Sequence, residues 1–300
     1  MPRRILALSL VPLAALVLAS CGDDDGGDNA AEGTTTTAAA ADAPERIVSL
    51  SPTATEMLFA IDAGDQVVAV DDQSNYPAEA PRTDLSGFEP NVEAIVGKDP
   101  DLVVLSENTG DVVAGLEAAD VETLVLPAAT TLDDSYHQLS QLGDATGHEA
   151  EADDVVQGMK DDIKEITSSL PEREGPKPTY YHELDQTFFT ATSSTFIGQV
   201  YGLVGLENIA DPADSDGSGY PQLSAEYVVD KNPDLIFLAD TKCCAQTEET
   251  VAARPGWGSL DAVTSDHVVE LDDDIASRWG PRVVDLLRTV ADEVAQVTAR

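Results

Sequence analysis

The sequence predicts an α/β fold of two lobes, each built on a parallel sheet, joined by a long rigid helix and separated by a ligand cleft. Three observations predict it. The phrase VEAIVGKDPDLVVLSE, from Val92, returns as AEYVVDKNPDLIFLAD, from Ala225, with Glu93 and Glu226, Lys98 and Lys231, Pro100 and Pro233, and Asp101 and Asp234 each 133 positions apart. Two copies in one register indicate duplicated lobes. Short apolar runs alternate with helical periods on both sides of the chain, the pattern of βαβ units in a parallel sheet. Between the two sides, residues 132–170 hold no strand-like run.

The elements follow in order. In RIVSLSPTATEMLFAI, from Arg46, a short strand leads through Ser51 and Pro52 into a helix with Met57, Leu58 and Ile61 on its inner face. Thr53 or Thr55 is expected to cap that helix and Gly64 to stop it. QVVAV is a second strand and DDQSNYP its polar loop. In the repeated phrase the proline ends a helix and LVVL reads as a buried strand; ETLVLP is the fourth strand of a first lobe over residues 45–131. Leu139, Leu142, Val155, Val156, Met159, Ile163 and Ile166 then recur at helical spacing, which makes residues 132–172 one long inter-lobe helix of about ten turns, continuous or broken near Gly143 and Gly147. A helix that long resists hinge closure better than crossing strands would. In the second lobe, residues 173–300, TYYHEL, LIFLAD and HVVELD read as strands and FIGQVYGLVGL and PRVVDLLRTVADEVAQV as helices, repeating the first lobe's order.

Charge and the amino terminus set the cellular address. Sixteen basic against 56 acidic residues give a formal net charge of −40, which argues against a nucleic-acid or anionic-lipid face. Residues 1–20 read as a secretory signal: Arg3 and Arg4, then an apolar run too short to span a membrane. Its end, Leu18-Ala19-Ser20-Cys21, resembles the bacterial lipobox, which implies cleavage before Cys21 and a lipid on that residue. Residues 21–44, rich in Gly, Asp, Thr and Ala, read as a flexible tether. The expected location is therefore outside the cytoplasm, lipid-anchored to the cell membrane.

Catalytic patterns are absent from the sequence. It contains no G-x-S-x-G elbow and no Gly-rich phosphate loop, and nothing in the spacing of its acids selects a catalytic pair. The four histidines, His137, His148, His182 and His267, never fall at metal-ligand spacing, so neither a metal site nor any cofactor is expected. Ligand sites in parallel sheets lie beyond the carboxyl ends of the strands. That rule nominates residues 51–55, 71–76, Phe88 and 107–109 in the first lobe, and 183–188, Tyr220, 240–244 and 274–279 in the second. Among the basic residues, Arg82, Lys242, Arg254, Arg278 and Arg282 could neutralise an anion there, with Lys242 and Arg278 the better placed.

Several stretches carry a family resemblance: Ser49-Leu50-Ser51-Pro52, Thr55-Glu56, Asn75-Tyr76-Pro77, Asn91-Val92-Glu93, the second copy at Glu226, and Pro281-Arg282. In this order and spacing they resemble the substrate-binding lipoproteins of ABC importers for cobalamin, ferric siderophores and haem. NVEAIVGKDPDLVV and PQLSAEYVV are most similar to the vitamin B12-binding members. The resemblance implies capture of a corrinoid, with a ferric siderophore or haem as the alternative, and delivery to a dimeric permease driven by a cytoplasmic ATPase. It implies that Glu93 and Glu226 dock on permease arginines, one from each lobe. The expected ligand contacts are Gln73, Tyr76, Phe88, Tyr220, Lys242, Asp274, Arg278 and Trp279. Phe88 and Tyr220 stand where those relatives carry tryptophan, and Ile275-Ala276 where they carry bulky aromatics. A tethered sensor of the same fold fits the residues too, and a neighbouring permease gene would separate the two readings.

Cys243 and Cys244 adjoin Lys242 in a loop after the second copy. In an oxidising compartment they remain free, pair with each other, or pair between molecules. The expectation carried forward is a vicinal disulfide that stiffens the cleft wall.

Overall fold

The first apolar run forms strand β1 (Ile47–Leu50), buried along its whole length and so packed on both faces. Helix α1 (Pro52–Ala60) starts with proline at its first position, and its cap is Ser51, whose Oγ accepts the Ala54 N–H at 3.3 Å. Thr53 and Thr55, the expected caps, lie inside the helix instead. Strands β2 (Val67–Asp71) and β3 (Arg82–Leu85), helix α2 (Val92–Val96), strand β4 (Leu102–Leu105), helix α3 (Val112–Glu117) and strand β5 (Glu122–Val125) complete the lobe. The sheet is parallel throughout, in the order β3-β2-β1-β4-β5. It has five strands where the sequence pattern indicated four. The additional one, β3, is the edge strand RTDL, whose outward polar residues give no apolar run to detect.

These coordinates come from a computed structural model that describes residues 43–172 and 175–298. The signal segment, Cys21 and the tether up to residue 42 lie outside the described residues.

The strand-free stretch is not one continuous helix but breaks at Gly147, one of the two expected places. It forms α4 (Leu132–Thr146) and α5 (Glu149–Ser169), separated by Gly147 in the left-handed region at φ 79°. Lys160 Nζ lies 4.8 Å from the centre of the Tyr136 ring, whereas a straight helix would hold residues 136 and 160 about 36 Å apart. The two helices therefore fold back as a hairpin. Close packing at its base needs Gly143, where a Cβ would lie 2.7 Å from that of Ala152. Only α5, about 31 Å long, remains as the extended connector.

The second lobe runs β6 (Thr179–Glu183), α6 (Phe196–Leu203), β7 (Glu207–Asn208), α7 (Ala225–Lys231), β8 (Leu235–Leu238), α8 (Thr241–Cys244), α9 (Glu248–Ala252), α10 (Asp261–Thr264), β9 (Val268–Glu270), α11 (Asp273–Ser277) and α12 (Val283–Thr298). Its sheet is also parallel, ordered β7-β6-β8-β9. The lobes match around the repeated phrase but not at the edge, where β7 has two residues and β3 no counterpart.

The repeat has a structural cause. Asp101 Oδ2 accepts the backbone N–H groups of Glu45 and Arg46 at 2.9 Å, just before β1. Asp234 Oδ2 accepts the N–H and hydroxyl of Thr179, the first residue of β6, at 2.7 and 2.9 Å. Each aspartate thus fixes the start of the strand beside its own. Before the two prolines, Asp99 and Asn232 both take positive φ, 55° and 44°, a conformation Asp and Asn tolerate better than other side chains with a Cβ.

Alternation along the strands divides the apolar residues between faces. Val48, Val103 and Leu105 pack in one cluster beneath α2 and α3, and Ile236 and Leu238 in another with Trp257. The opposite faces, with Ile47, Val104, Leu235 and Phe237, join α4, α5 and α12 in a single cluster that runs through both lobes. A hinge motion would have to shear this shared core, which is close-packed and resists it.

Candidate functional site

Each sheet reverses its strand order once, between β1 and β4 and between β6 and β8, and such reversals open crevices at the strands' carboxyl ends. In the first lobe a short hydrogen-bond chain shapes the wall. Asp71 Oδ1 accepts the N–H groups of Gln73 and Ser74 at 3.0 and 2.7 Å, and Thr55 Oγ1 joins Ser74 Oγ to Ser49 Oγ at 2.9 Å each. Burial pushes the Asp71 carboxyl up, against the opposing effect of those bonds. The following loop lies directly over β1, because a Cβ on Gly87 would fall 2.5 Å from the Leu50 carbonyl oxygen. It carries Phe88, 73% exposed.

In the second lobe, residues 189–192 run beside 219–222, with Thr190 N–H donating to the Pro221 carbonyl at 3.1 Å and Thr192 N–H to that of Gly219 at 2.8 Å. This ribbon displays Tyr220 and also Phe189, a second exposed ring that the sequence reading passed over. No apolar period marked Phe189, since the ribbon is too short to show one.

Between the lobes lies a lattice of ion pairs. Glu56, on α1, is 3% exposed and receives Arg278 Nη1 at 2.8 Å, Arg282 Nε at 2.8 Å and Arg282 Nη2. Arg278 also donates to Asn75 Oδ1 at 3.0 Å, the Gln73 carbonyl at 3.1 Å and Asp274 Oδ1 at 2.7 Å. Asp274 Oδ2 accepts from Asn75 Nδ2 at 3.0 Å and Lys242 Nζ at 2.8 Å, and Lys242 also meets Asp272 Oδ1 at 2.6 Å. The Arg282 guanidinium stacks 4.1 Å over the ring of Tyr76, itself half exposed.

Of the eight expected contact residues, Gln73, Tyr76, Lys242, Asp274 and Arg278 thus join one network, and Phe88 and Tyr220 sit on separate walls. Trp279 turns away: its Nε1 donates to Gln138 Oε1 at 2.8 Å and its carbonyl accepts from Ser135 Oγ at 2.5 Å, both on α4. Lys242 and Arg278, the cations expected to be best placed for an anion, are each already paired with carboxylates. Sequence reasoning did not foresee Glu56 and Asn75 as partners of Arg278.

Asp273 holds α8 in place, its carboxylate accepting the N–H groups of Thr241, Lys242 and Cys243 at 2.8 to 3.0 Å. Cys243 and Cys244 at the end of this helix are paired as a disulfide of adjacent residues. Glu93 and Glu226 occupy the same place on α2 and α7, the second helical position after the caps Asn91 and Ser224, and both are exposed.

A second polar cluster lies under the β6–β8 crevice. Arg254 forks onto Glu183, at 2.6 and 2.5 Å, and its guanidinium covers Trp257 at 4.6 Å. The carboxylate oxygens of Asp240, wholly buried, accept no hydrogen bond from an N–H group of another residue among the described residues. Burial, and then the Glu183 charge, push its carboxyl up to about 7, the neighbouring Arg254 only partly opposing them. With its carboxyl raised, Asp240 keeps its proton to higher pH in the folded protein than in the unfolded chain, so stability falls as pH rises from about 4 to about 7. Asp240→Asn is expected to match the wild type near pH 4 and to exceed it by on the order of 2–4 kcal/mol at pH 8, read from urea unfolding at both pH values. Equal stability at pH 8 would count against the buried proton.

The comparisons with known proteins agree with this geometry. Residues 47–275 match the family model described as periplasmic binding protein. The chain belongs to that family. A cobalamin-binding protein of Halobacterium salinarum is 31% identical to this binding protein over 263 residues, covering 85% of the chain and 70% of the relative. An ABC transporter substrate-binding lipoprotein of Bacillus subtilis is 29% identical over 259 residues, covering 84% and 80%. The crystal structure of the periplasmic vitamin B12-binding protein of Vibrio cholerae aligns with a TM-score of 0.69 at 26% identity, covering 86% of this chain and 99% of that one. The chain is a solute-binding protein of the ABC-importer type, not an enzyme.

Proposed function

We propose that this binding protein captures a corrinoid outside the cytoplasm, held to the membrane by a lipid on Cys21, and hands it to a dimeric ABC permease through Glu93 and Glu226. One observation carries the choice of ligand. The crevice loops offer exposed rings, Phe88, Tyr220 and Tyr76, whereas Lys242, Arg254, Arg278 and Arg282 each already face a carboxylate. Arg82 opens the edge strand β3, two strands away from the β1–β4 crevice. A large, flat ligand without net negative charge suits such walls by stacking and burial, and an anionic chelate finds no free cation there among the described residues. The cobalamin-binding names among the relatives support the same ligand. A cavity of about 240 Å³ lined by Phe59, Tyr76, Pro77 and Arg282 is too small for a corrinoid, and in this reading the ligand binds among the crevice loops that carry Phe88 and Tyr220.

Titration of the purified protein with cyanocobalamin, haemin and a ferric tris-catecholate tests the reading. Saturable binding of cyanocobalamin is expected, visible as quenching of Trp257 and Trp279 by energy transfer, since Trp257 is fully buried and beyond direct contact. Silence toward cyanocobalamin with tight binding of haemin or the iron chelate would replace the corrinoid by the iron ligand.

A further inference from the structure

We infer that Asp274 is a specificity determinant of the cleft, its carboxylate neutralising Lys242 and Arg278 together and so excluding anionic solutes that these cations would otherwise hold. The inference rests on reading the cleft as the solute site and concerns which charge that site accepts. Asp274 touches both cations at once: Oδ2 lies 2.8 Å from Lys242 Nζ, and Oδ1 lies 2.7 Å from Arg278 Nη2. Through Asn75 Nδ2, at 3.0 Å, it also reaches the first lobe. Burial would raise its carboxyl, but the bonds from Lys242 and Asn75 and the charge of Arg278 outweigh that and hold it below the usual range, so it is ionised at neutral pH.

The neighbouring acids have other duties. Glu56 is buried under two arginines, and Asp273 is occupied by the backbone of α8. Asp272 pairs with Lys242 from one side while capping α11. Three cations, Lys242, Arg278 and Arg282, thus pair with the carboxylates of Glu56, Asp272 and Asp274, and Asp273, whose carboxylate accepts backbone N–H groups of α8, makes a fourth acid in the group. Loss of Asp274 brings this group from a net charge of −1 to neutrality, and loss of Asp272 as well makes it +1. Lys242 is the cation a solute can reach, with 52% of its side chain exposed, whereas Arg278 has only 10%.

The experiment measures affinity of the full-length protein for a ferric tris-catecholate, net charge −3, at low and high ionic strength. Asp274→Asn is expected to bind it about 5–10-fold more tightly than the wild type at low salt, and the Asp272→Asn/Asp274→Asn pair to gain a second step of similar size. High salt should erase both gains. Asp274→Glu, which keeps the charge, should show none. A folded Asp274→Asn protein with unchanged anion affinity, or an equal gain in Asp274→Glu, overturns the inference. If Asp274→Asn does not fold, Asp272→Asn serves in its place, because asparagine caps a helix as well as aspartate does. Unloading Lys242 in that variant must then raise anion affinity severalfold, and no change overturns the inference. Wild-type silence toward cyanocobalamin strikes the corrinoid reading alone, because the anion series is read without that ligand.

Discussion

Replacing Glu93 and Glu226 together by alanine is expected to abolish uptake of labelled corrinoid by cells while leaving the affinity of the purified protein within about twofold of wild type. Neither side chain supports its own lobe. The caps that begin α2 and α7 are complete without them: Asn91 Oδ1 accepts the Ala94 N–H at 2.9 Å, and Ser224 Oγ accepts the Tyr227 N–H at 3.1 Å. Both glutamates are exposed, with no ion pair among the described residues. Their remaining interaction is with the positive end of a short helix, worth about 0.3–1 kcal/mol each, so the double variant stays folded. What the substitution removes is one negative charge at the same place on each lobe, the arrangement a two-fold permease can read as a pair. Rim charges of this kind govern association and register. Either single substitution should give an intermediate rate. Normal uptake by the double variant would end the docking role, and loss of ligand binding would show that the residues act on the cleft instead.

The largest loss of stability is expected from Glu56→Ala, about 3–5 kcal/mol in equilibrium urea unfolding. The carboxylate is almost inaccessible and bonded to both arginines, whose side chains are 10% and 16% exposed. Its removal leaves two guanidinium groups in a poorly solvated place without a counter-charge, and that uncompensated burial costs more than the intact pair contributes. Arg278 would retain Asp274, so Arg282, left with the Tyr76 ring, suffers more. Glu56→Gln, which keeps an acceptor oxygen, should lose less. Because Glu56 comes from the first lobe and both arginines from the second, the variant should also loosen one lobe against the other, seen as faster amide exchange in α1 and α11. An unfolding free energy within 1 kcal/mol of wild type would mean that water already satisfies the arginines.

The legible parts of this protein were those written in local pattern. The 133-residue repeat marks two lobes and both exposed glutamates in the sequence itself, because a helix start, a left-handed turn residue, a proline and a buried strand occupy consecutive positions. The apolar strands β1, β2, β4, β6, β8 and β9 were readable for the same reason. Edge strand β3 was not, since its outward residues are polar. The hairpin of α4 and α5 was hidden because helical periodicity continues on both sides of Gly147 and does not record the direction in which the chain leaves it.

The candidate site divides along the same line. Sequence alone indicated which loops end at the carboxyl edges of the sheets, and so nominated Gln73, Phe88, Tyr220, Lys242 and Asp274 as candidates. It did not determine that Lys242 and Arg278 are already neutralised or that Trp279 is held by α4. Those facts depend on partners that only the tertiary structure brings near: Asp272 and Asp274 for Lys242, Glu56 and Asn75 for Arg278, Gln138 for Trp279. Hydrophobic periodicity is set by neighbours within one or two turns, whereas the electrostatic state of a side chain is set by whichever charge lies within a few ångströms, at any distance along the chain.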